Sequence, residues 1–121
     1  MYRIYFYKDT KGKSPVYDYL LSLKKACSKD ARIKANSISR CLYLLKHDGL
    51  SVCEPYIKHL DNEIWELRPI RDRILFAAYL DDGFVLLHSF VKKTQKTPVA
   101  EIDKAKREFA RFVEEMRKNE E

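Results

Sequence analysis

The segment Tyr56–Phe90, YIKHLDNEIWELRPIRDRILFAAYLDDGFVLLHSF, decides the fold. It divides into four runs of strand character, Tyr56–Leu60, Ile64–Arg68, Arg73–Leu80 and Phe84–Phe90, separated by the turn-forming groups Asp61-Asn62, Pro69–Asp72 and Asp82-Gly83. Gaps this short leave no room for a crossover, so consecutive strands pair antiparallel. Phe84-Val85-Leu86-Leu87 is apolar at every position, which places that strand inside the sheet with both faces covered. Along Ile64–Arg68, Trp65 and Leu67 take one face while Glu66 and Arg68 take the other; along the next run Arg73, Leu75, Ala77 and Tyr79 share a face. If Arg68 and Arg73 flank the Pro69–Asp72 loop on the same face, they can both reach one phosphate. Asp81 and Asp82 beside Gly83 read as turn residues.

Working outward, Tyr2, Ile4 and Phe6 alternate with Arg3, Tyr5 and Tyr7, the period of a strand with one buried face. Ser14 before Pro15 reads as the N-cap and first residue of a helix carrying Val16, Tyr19, Leu20 and Leu23 at helical spacing. Ser28 or Asp30 can cap a second helix, whose stripe Ala31, Ala35, Ile38, Leu42 and Leu45 is closed by His47, Asp48 and Gly49. Beyond the strands, Thr97 before Pro98 caps a final helix bearing Ile102, Ala105, Phe109, Phe112, Val113 and Met116 on one stripe. The expected fold is α+β in the order β-α-α-β-β-β-β-α: a mostly antiparallel sheet, a two-helix hairpin and a C-terminal helix, in a single domain spanning residues 1–121.

Composition fits that size. With 45% hydrophobic residues, 3 Gly and 4 Pro among 121, the chain has material for a core and too little flexible sequence to be a disordered tail. The start, MYRIYFYKDT, is too short and too broken by Arg3 and Lys8 for a signal peptide, and no stretch approaches a membrane span, so a cytoplasmic protein without membrane association is expected. Cys27, Cys41 and Cys53 are widely spaced and lack a CxxC pair, which reads as reduced structural thiols and no metal site.

Lys and Arg number 24 against 18 Asp and Glu, a net +6 and a pI of about 9.2 that suit a phosphate-rich partner. The excess is concentrated in residues 1–57, which hold 11 basic and 5 acidic side chains. Helical lysines such as Lys24, Lys25, Lys29 and Lys34 read as solvated surface charge. Two other groups differ: Arg68, Arg71 and Arg73 surround one hairpin, and Lys92, Lys93 and Lys96 follow the interior strand in a stretch, residues 84–97, that contains no acid. Adjacent strands bring both groups to the same end of the sheet. In a purely structural reading, Glu66 and Asp72 pair with these arginines.

The ordered set Lys58-His59-Leu60, Ile64-Trp65-Glu66-Leu67-Arg68, Arg73-Ile74, Val85-Leu86-Leu87-His88-Ser89-Phe90-Val91-Lys92-Lys93-Thr94-Gln95-Lys96-Thr97-Pro98, then Glu101-Ile102 and Ala105, closely resembles the RelE/HigB family of toxins in its phage-derived HigB-like branch. The motif-bearing part covers residues 58–105. The resemblance implies the toxin of a toxin–antitoxin module: a ribosome-dependent endoribonuclease of messenger RNA, acting without metal or small-molecule cofactor and silenced by a small helix-turn-helix antitoxin. The antitoxin is expected either to cover or distort the Arg68, Arg73 and Lys92 surface, or to dock on the helical layer and block ribosome entry. The matching positions are Arg73 and the basic pair Lys92 and Lys93; the family's terminal tyrosine after the last strand has no counterpart in this chain.

Metal-free RNA cleavage needs a base for the ribose 2′-hydroxyl, cations for the charge gathering on the phosphate, and an acid for the leaving 5′-oxygen. Arg68 and Arg73, as permanently charged bidentate donors, suit charge stabilisation. The adjacency of Lys92 and Lys93 supplies the like-charge crowding that proton transfer by lysine requires. His59, beside Lys58 on an edge-like strand, is a candidate acid or base, an imidazole being the side chain that exchanges protons near neutrality. His88 is expected to be a buried structural residue pointing with Phe84, Leu86 and Phe90. Lys58, Arg71, Gln95 and Lys96 complete the expected RNA-contacting set. The alternative is a non-catalytic basic RNA- or ribosome-binding module of the same fold. A DNA-binding regulator is disfavoured, because no recognition helix with an exposed basic N-terminal face stands out.

Overall fold

The computed structural model describes residues 1–52 and 55–120. Its elements are β1 (Arg3–Phe6), α1 (Pro15–Lys25), α2 (Lys29–Asp48) with a 3-10 turn at Gly49–Ser51, β2 (Ile57–Asp61), β3 (Ile64–Leu67), β4 (Asp72–Tyr79), β5 (Gly83–Val91) and α3 (Val99–Glu120). The five strands form one sheet in the order β1-β5-β4-β3-β2, antiparallel throughout except for the parallel pairing of β1 with β5. The α+β class, the mostly antiparallel sheet, the helical hairpin and the C-terminal helix are all as the sequence implied. Cys53 lies outside the described residues.

Two cores sandwich the sheet. The α1–α2 hairpin packs on one face, where Val16, Ile38 and Leu45 meet Leu67, Ile74, Phe76 and Leu86. On the other face α3 lays Ala105, Phe109 and Phe112 against Ile64, Leu75, Ala77, Val85 and Leu87. Fully buried residues such as Phe76, Ile38 and Leu45 each contribute about 1.5–3 kcal/mol by leaving water. Ser28 caps α2, its hydroxyl accepting the Ala31 N–H at 3.1 Å. Ser14 occupies the N-cap position of α1 with its carbonyl on the Asp18 N–H, but its hydroxyl makes no capping bond.

Three expectations need correction. β1 is covered on both faces: Tyr2, Ile4 and Phe6 pack against the hairpin, while Tyr5 and Tyr7 pack against α3. Tyrosine, which read as the polar half of the alternation, buries its ring as readily as phenylalanine. The cap of α3 also differs. Pro98 offers its carbonyl to the N–H groups of Glu101 and Ile102, and the Thr97 hydroxyl is instead donated to Glu66.

The third correction concerns His88. Across the β4–β5 ladder Leu75 pairs with His88 but Phe76 pairs with Leu86, so Leu87 is an extra residue in β5. Such a bulge resets the alternation. His88 therefore turns away from Phe84 and Leu86, which belong to the hairpin core, and joins Leu87 and Phe90 on the α3 side. It is buried, as expected.

Candidate active site

At the end of the sheet where β3 leaves and β4 begins, the chain turns through Pro69-Ile70-Arg71. Ile70 takes a left-handed φ of 39° and the Asp72 N–H closes the turn on the Pro69 carbonyl at 2.9 Å. The Lys92 N–H donates to the Arg71 carbonyl at 2.8 Å, so the ladder continues one bond beyond β5 and fixes Lys92 and Lys93 beside the turn. The Tyr19 hydroxyl donates to Asp72 Oδ1 at 2.7 Å, tying α1 to the same corner. The Asp72 carboxylate is thus engaged by a phenol rather than by an arginine.

Beneath the turn lies Glu66, 1% exposed. Its Oε1 faces the Arg68 Nε at 3.4 Å and the Arg73 Nε at 3.8 Å, and its Oε2 accepts the Thr97 hydroxyl. The pairing read from sequence as a surface event is a buried one. One carboxylate therefore sets the direction of both guanidinium groups, while one terminal nitrogen of Arg73, Nη1, is fixed by the carbonyls of Ile70 (2.9 Å) and Asp72 (2.8 Å). The other, Nη2, donates no hydrogen bond to the described residues. Burial first, and Arg68 second, pull the Arg73 guanidinium below its ordinary value while Glu66 and Asp72 oppose the shift; the group stays charged.

These residues line a cleft of about 490 Å³ bounded by Glu66, Arg68 and Arg73 on the sheet, by Lys92–Pro98 on the strand exit, and by Glu101 on α3. That volume suits a nucleotide-sized ligand. Of the residues singled out by sequence, Arg68, Arg73, Lys92, Lys93, Gln95 and Lys96 meet here. The others do not. Lys58 is exposed on edge strand β2, opposite Glu66 in the ladder. Arg71 lines a separate groove with Asp30 and Lys34 of α2. His59 pairs with Trp65, its ring 4.8 Å from the indole, and its Nε2 lies 2.7 Å from the Asn62 carbonyl. Trp65 packs against the hairpin, so His59 sits on the far face of the sheet from the cleft.

A hydrogen-bond network that the sequence did not disclose joins His88 to two carboxylates of α3. His88 Nδ1 lies 2.5 Å from Glu108 Oε1, and its Nε2 lies 3.0 Å from Glu101 Oε1. Glu101 opens into the cleft, so this network runs from the core to its wall. The available signal was on α3, where Glu101 and Glu108 lie on the same side as the apolar residues Ala105 and Phe112, an unusual place for unpaired carboxylates. A second groove continues past the two arginines, bordered by Asn36, Ser37 and Arg40 of α2 and by Tyr56.

Among the described residues there is no group of three side chains able to hold a metal ion, and no helix is long and apolar enough to cross a membrane. No curated protein matches the chain. The family model for phage derived protein Gp49-like (DUF891) matches residues 24–110, most of the chain and every cleft-lining position, and the chain belongs to this phage-derived Gp49-like family.

Proposed function

We propose that this protein is the toxin of a toxin–antitoxin pair, of HigB-like type, and that it cuts messenger RNA on the ribosome as a metal-free endoribonuclease. The observation that carries the reading is Arg73: a guanidinium fixed on three sides by Glu66, Ile70 and Asp72, lining a cleft rimmed by Arg68, Lys92 and Lys93. A cation so restrained costs little to reorganise when charge develops on a phosphate, the condition under which electrostatic stabilisation is largest. Arg68 and Arg73 bind the non-bridging oxygens of the scissile phosphate. Lys92 and Lys93 neutralise its neighbourhood and supply protons, while Gln95 and Lys96 hold the flanking nucleotides. The ribose 2′-oxygen is the nucleophile. Lys58 and Arg71, outside the cleft, serve as contacts to ribosomal or messenger phosphates, and the general excess of positive charge accelerates encounter with the ribosome in the cytoplasm.

The partners are messenger RNA, the ribosome and a helix-turn-helix antitoxin encoded beside the toxin. Induction in growing cells tests the reading. The wild-type chain arrests growth and truncates a reporter message, co-expression of the adjacent open reading frame relieves the arrest, and Arg73→Ala loses it. Arrest by Arg73→Ala equal to that of wild type, with the message intact, would favour a non-catalytic ribosome-binding module.

A further inference from the structure

The cleft is rich in cations, yet a base is needed to remove the 2′-hydroxyl proton, and His59 lies on the other face of the sheet. Two carboxylates border the cleft. Glu66 is fully buried and has both oxygens engaged, by Arg68 and Arg73 on one and Thr97 on the other. Glu101 is different: its side chain is 30% exposed, Oε1 faces His88 Nε2 at 3.0 Å, and Oε2 takes no hydrogen bond from the described residues. His88 is itself 3% exposed and is held from behind by Glu108, with Nδ1 at 2.5 Å from Oε1. A carboxylate, an imidazole and a second carboxylate thus run in line from the α3 core to the cleft wall.

We propose that Glu101 is the general base of the cleavage and that His88 and Glu108 are its positioning residues, an assignment that rests on the ribonuclease reading above. With Glu101 ionised, His88 Nε2 donates to Oε1 and fixes the carboxylate rotamer, leaving Oε2 to face the substrate. Glu108 sets the ring orientation through Nδ1, the arrangement by which a third group directs a catalytic base. In the step itself Oε2 takes the 2′-hydroxyl proton as O2′ bonds to phosphorus and the bond from phosphorus to O5′ breaks. O5′ takes a proton from the Lys92 or Lys93 ammonium. The products are a 2′,3′-cyclic phosphate and a 5′-hydroxyl, and solvent water returns the proton from Glu101 to the lysine. Arg68 and Arg73 carry the charge on the non-bridging oxygens throughout.

The charged and titratable groups around Glu101 are His88, Glu66, Arg68, Arg73, Lys92, Lys93 and Lys96; those in contact with His88 are Glu101 and Glu108. A network that merely clamped α3 to the sheet would give the same hydrogen bonds, so the decisive variant is Glu101→Gln. Its amide oxygen still accepts from His88 and its volume is unchanged, while the basicity is gone. Single-turnover cleavage of a defined message on translating ribosomes is measured with wild type, Glu101→Gln, His88→Gln and Arg73→Ala, together with ribosome affinity and thermal midpoint.

The expected result is a loss of about a hundredfold or more in rate for Glu101→Gln, with affinity and thermal midpoint unchanged. The acid limb of the pH–rate profile, with the unit slope of one group that must be deprotonated, is present in wild type, retained at reduced rate in His88→Gln, and absent in Glu101→Gln. Cleavage by Glu101→Gln within about threefold of wild type, well short of the usual effect of losing a base, overturns the assignment; loss of cutting by Arg73→Ala in the same series would leave the ribonuclease reading standing. A rate loss that tracks a lowered thermal midpoint marks a clamp and overturns it too. If wild type leaves the message whole on active ribosomes, the assignment and the reading fall together.

Discussion

Glu66 lies on β3 with 1% of its surface in water, which is tolerable for a carboxylate because Arg68, Arg73 and Thr97 all face it. Removing one partner of such a buried group leaves the rest uncompensated, so Glu66→Ala is expected to lower stability by about 3 kcal/mol, measured by denaturant unfolding. The meeting of Arg68 and Arg73 was legible from the alternation of Trp65-Glu66-Leu67-Arg68 and the short Pro69–Asp72 loop. That a buried carboxylate would join them was not, because burial of Glu66 depends on Thr97 arriving from a segment 31 positions away. Tyr19 offers a second test at this scale. Burial, then its hydrogen bond to Asp72, push the phenol well above its ordinary value of 10. Tyr19→Phe is expected to cost about 1–3 kcal/mol near neutral pH by stranding a buried Asp72. Because the folded-state value lies above the unfolded one, the bond contributes in full below the unfolded value near pH 10 and is lost as pH rises through the folded value. The gap between wild type and Tyr19→Phe, followed by unfolding at successive pH values, therefore narrows on the alkaline side and stays constant at neutrality.

Strands, unlike side-chain partners, were readable because turn chemistry marks their ends. Every expected strand of the Tyr56–Phe90 segment is present, with bounds displaced by at most one residue. Leu80, expected to end β4, falls outside it with a left-handed φ of 54°, because the chain is already turning toward Asp81 and Asp82. The β5 bulge was invisible: Leu86-Leu87-His88 carries no glycine or other mark of an inserted residue, and the register follows from pairing with β4. Its consequence is a contact on which the proposed base depends, since the bulge carries His88 to α3 and to Glu101. Gly83 was read as a turn residue, but it also begins β5 opposite Arg3, where an added Cβ would lie 2.6 Å from the Arg3 carbonyl oxygen. That oxygen belongs to backbone and cannot rotate aside. Gly83→Ala is expected to destabilise by about 1–3 kcal/mol, read as a lower thermal midpoint, by pushing the parallel β1–β5 pair apart.

Across the molecule, a sheet sandwiched between a helical hairpin and α3 leaves one end where four parts of the chain converge: the exit of β3, the start of β4, the exit of β5 and the first turn of α3. The net +6 belongs mainly to the N-terminal half, with Lys24, Lys25 and Lys29 exposed on and beside the hairpin, whereas the cleft gathers its own positive charge from Arg68, Arg73, Lys92, Lys93 and Lys96. In the proposed function, long-range attraction and local chemistry fall to different residues, and replacing Arg73 is expected to remove the second while leaving the first. The central claim is tested most directly by mapping message ends after translating ribosomes meet the purified protein. Wild type is predicted to give codon-phased cuts with 2′,3′-cyclic phosphate and 5′-hydroxyl ends, none without ribosomes, and Arg73→Ala to bind ribosomes but cut at least about a hundredfold more slowly. An intact message on active ribosomes, or Arg73→Ala cutting as fast as wild type, would contradict it.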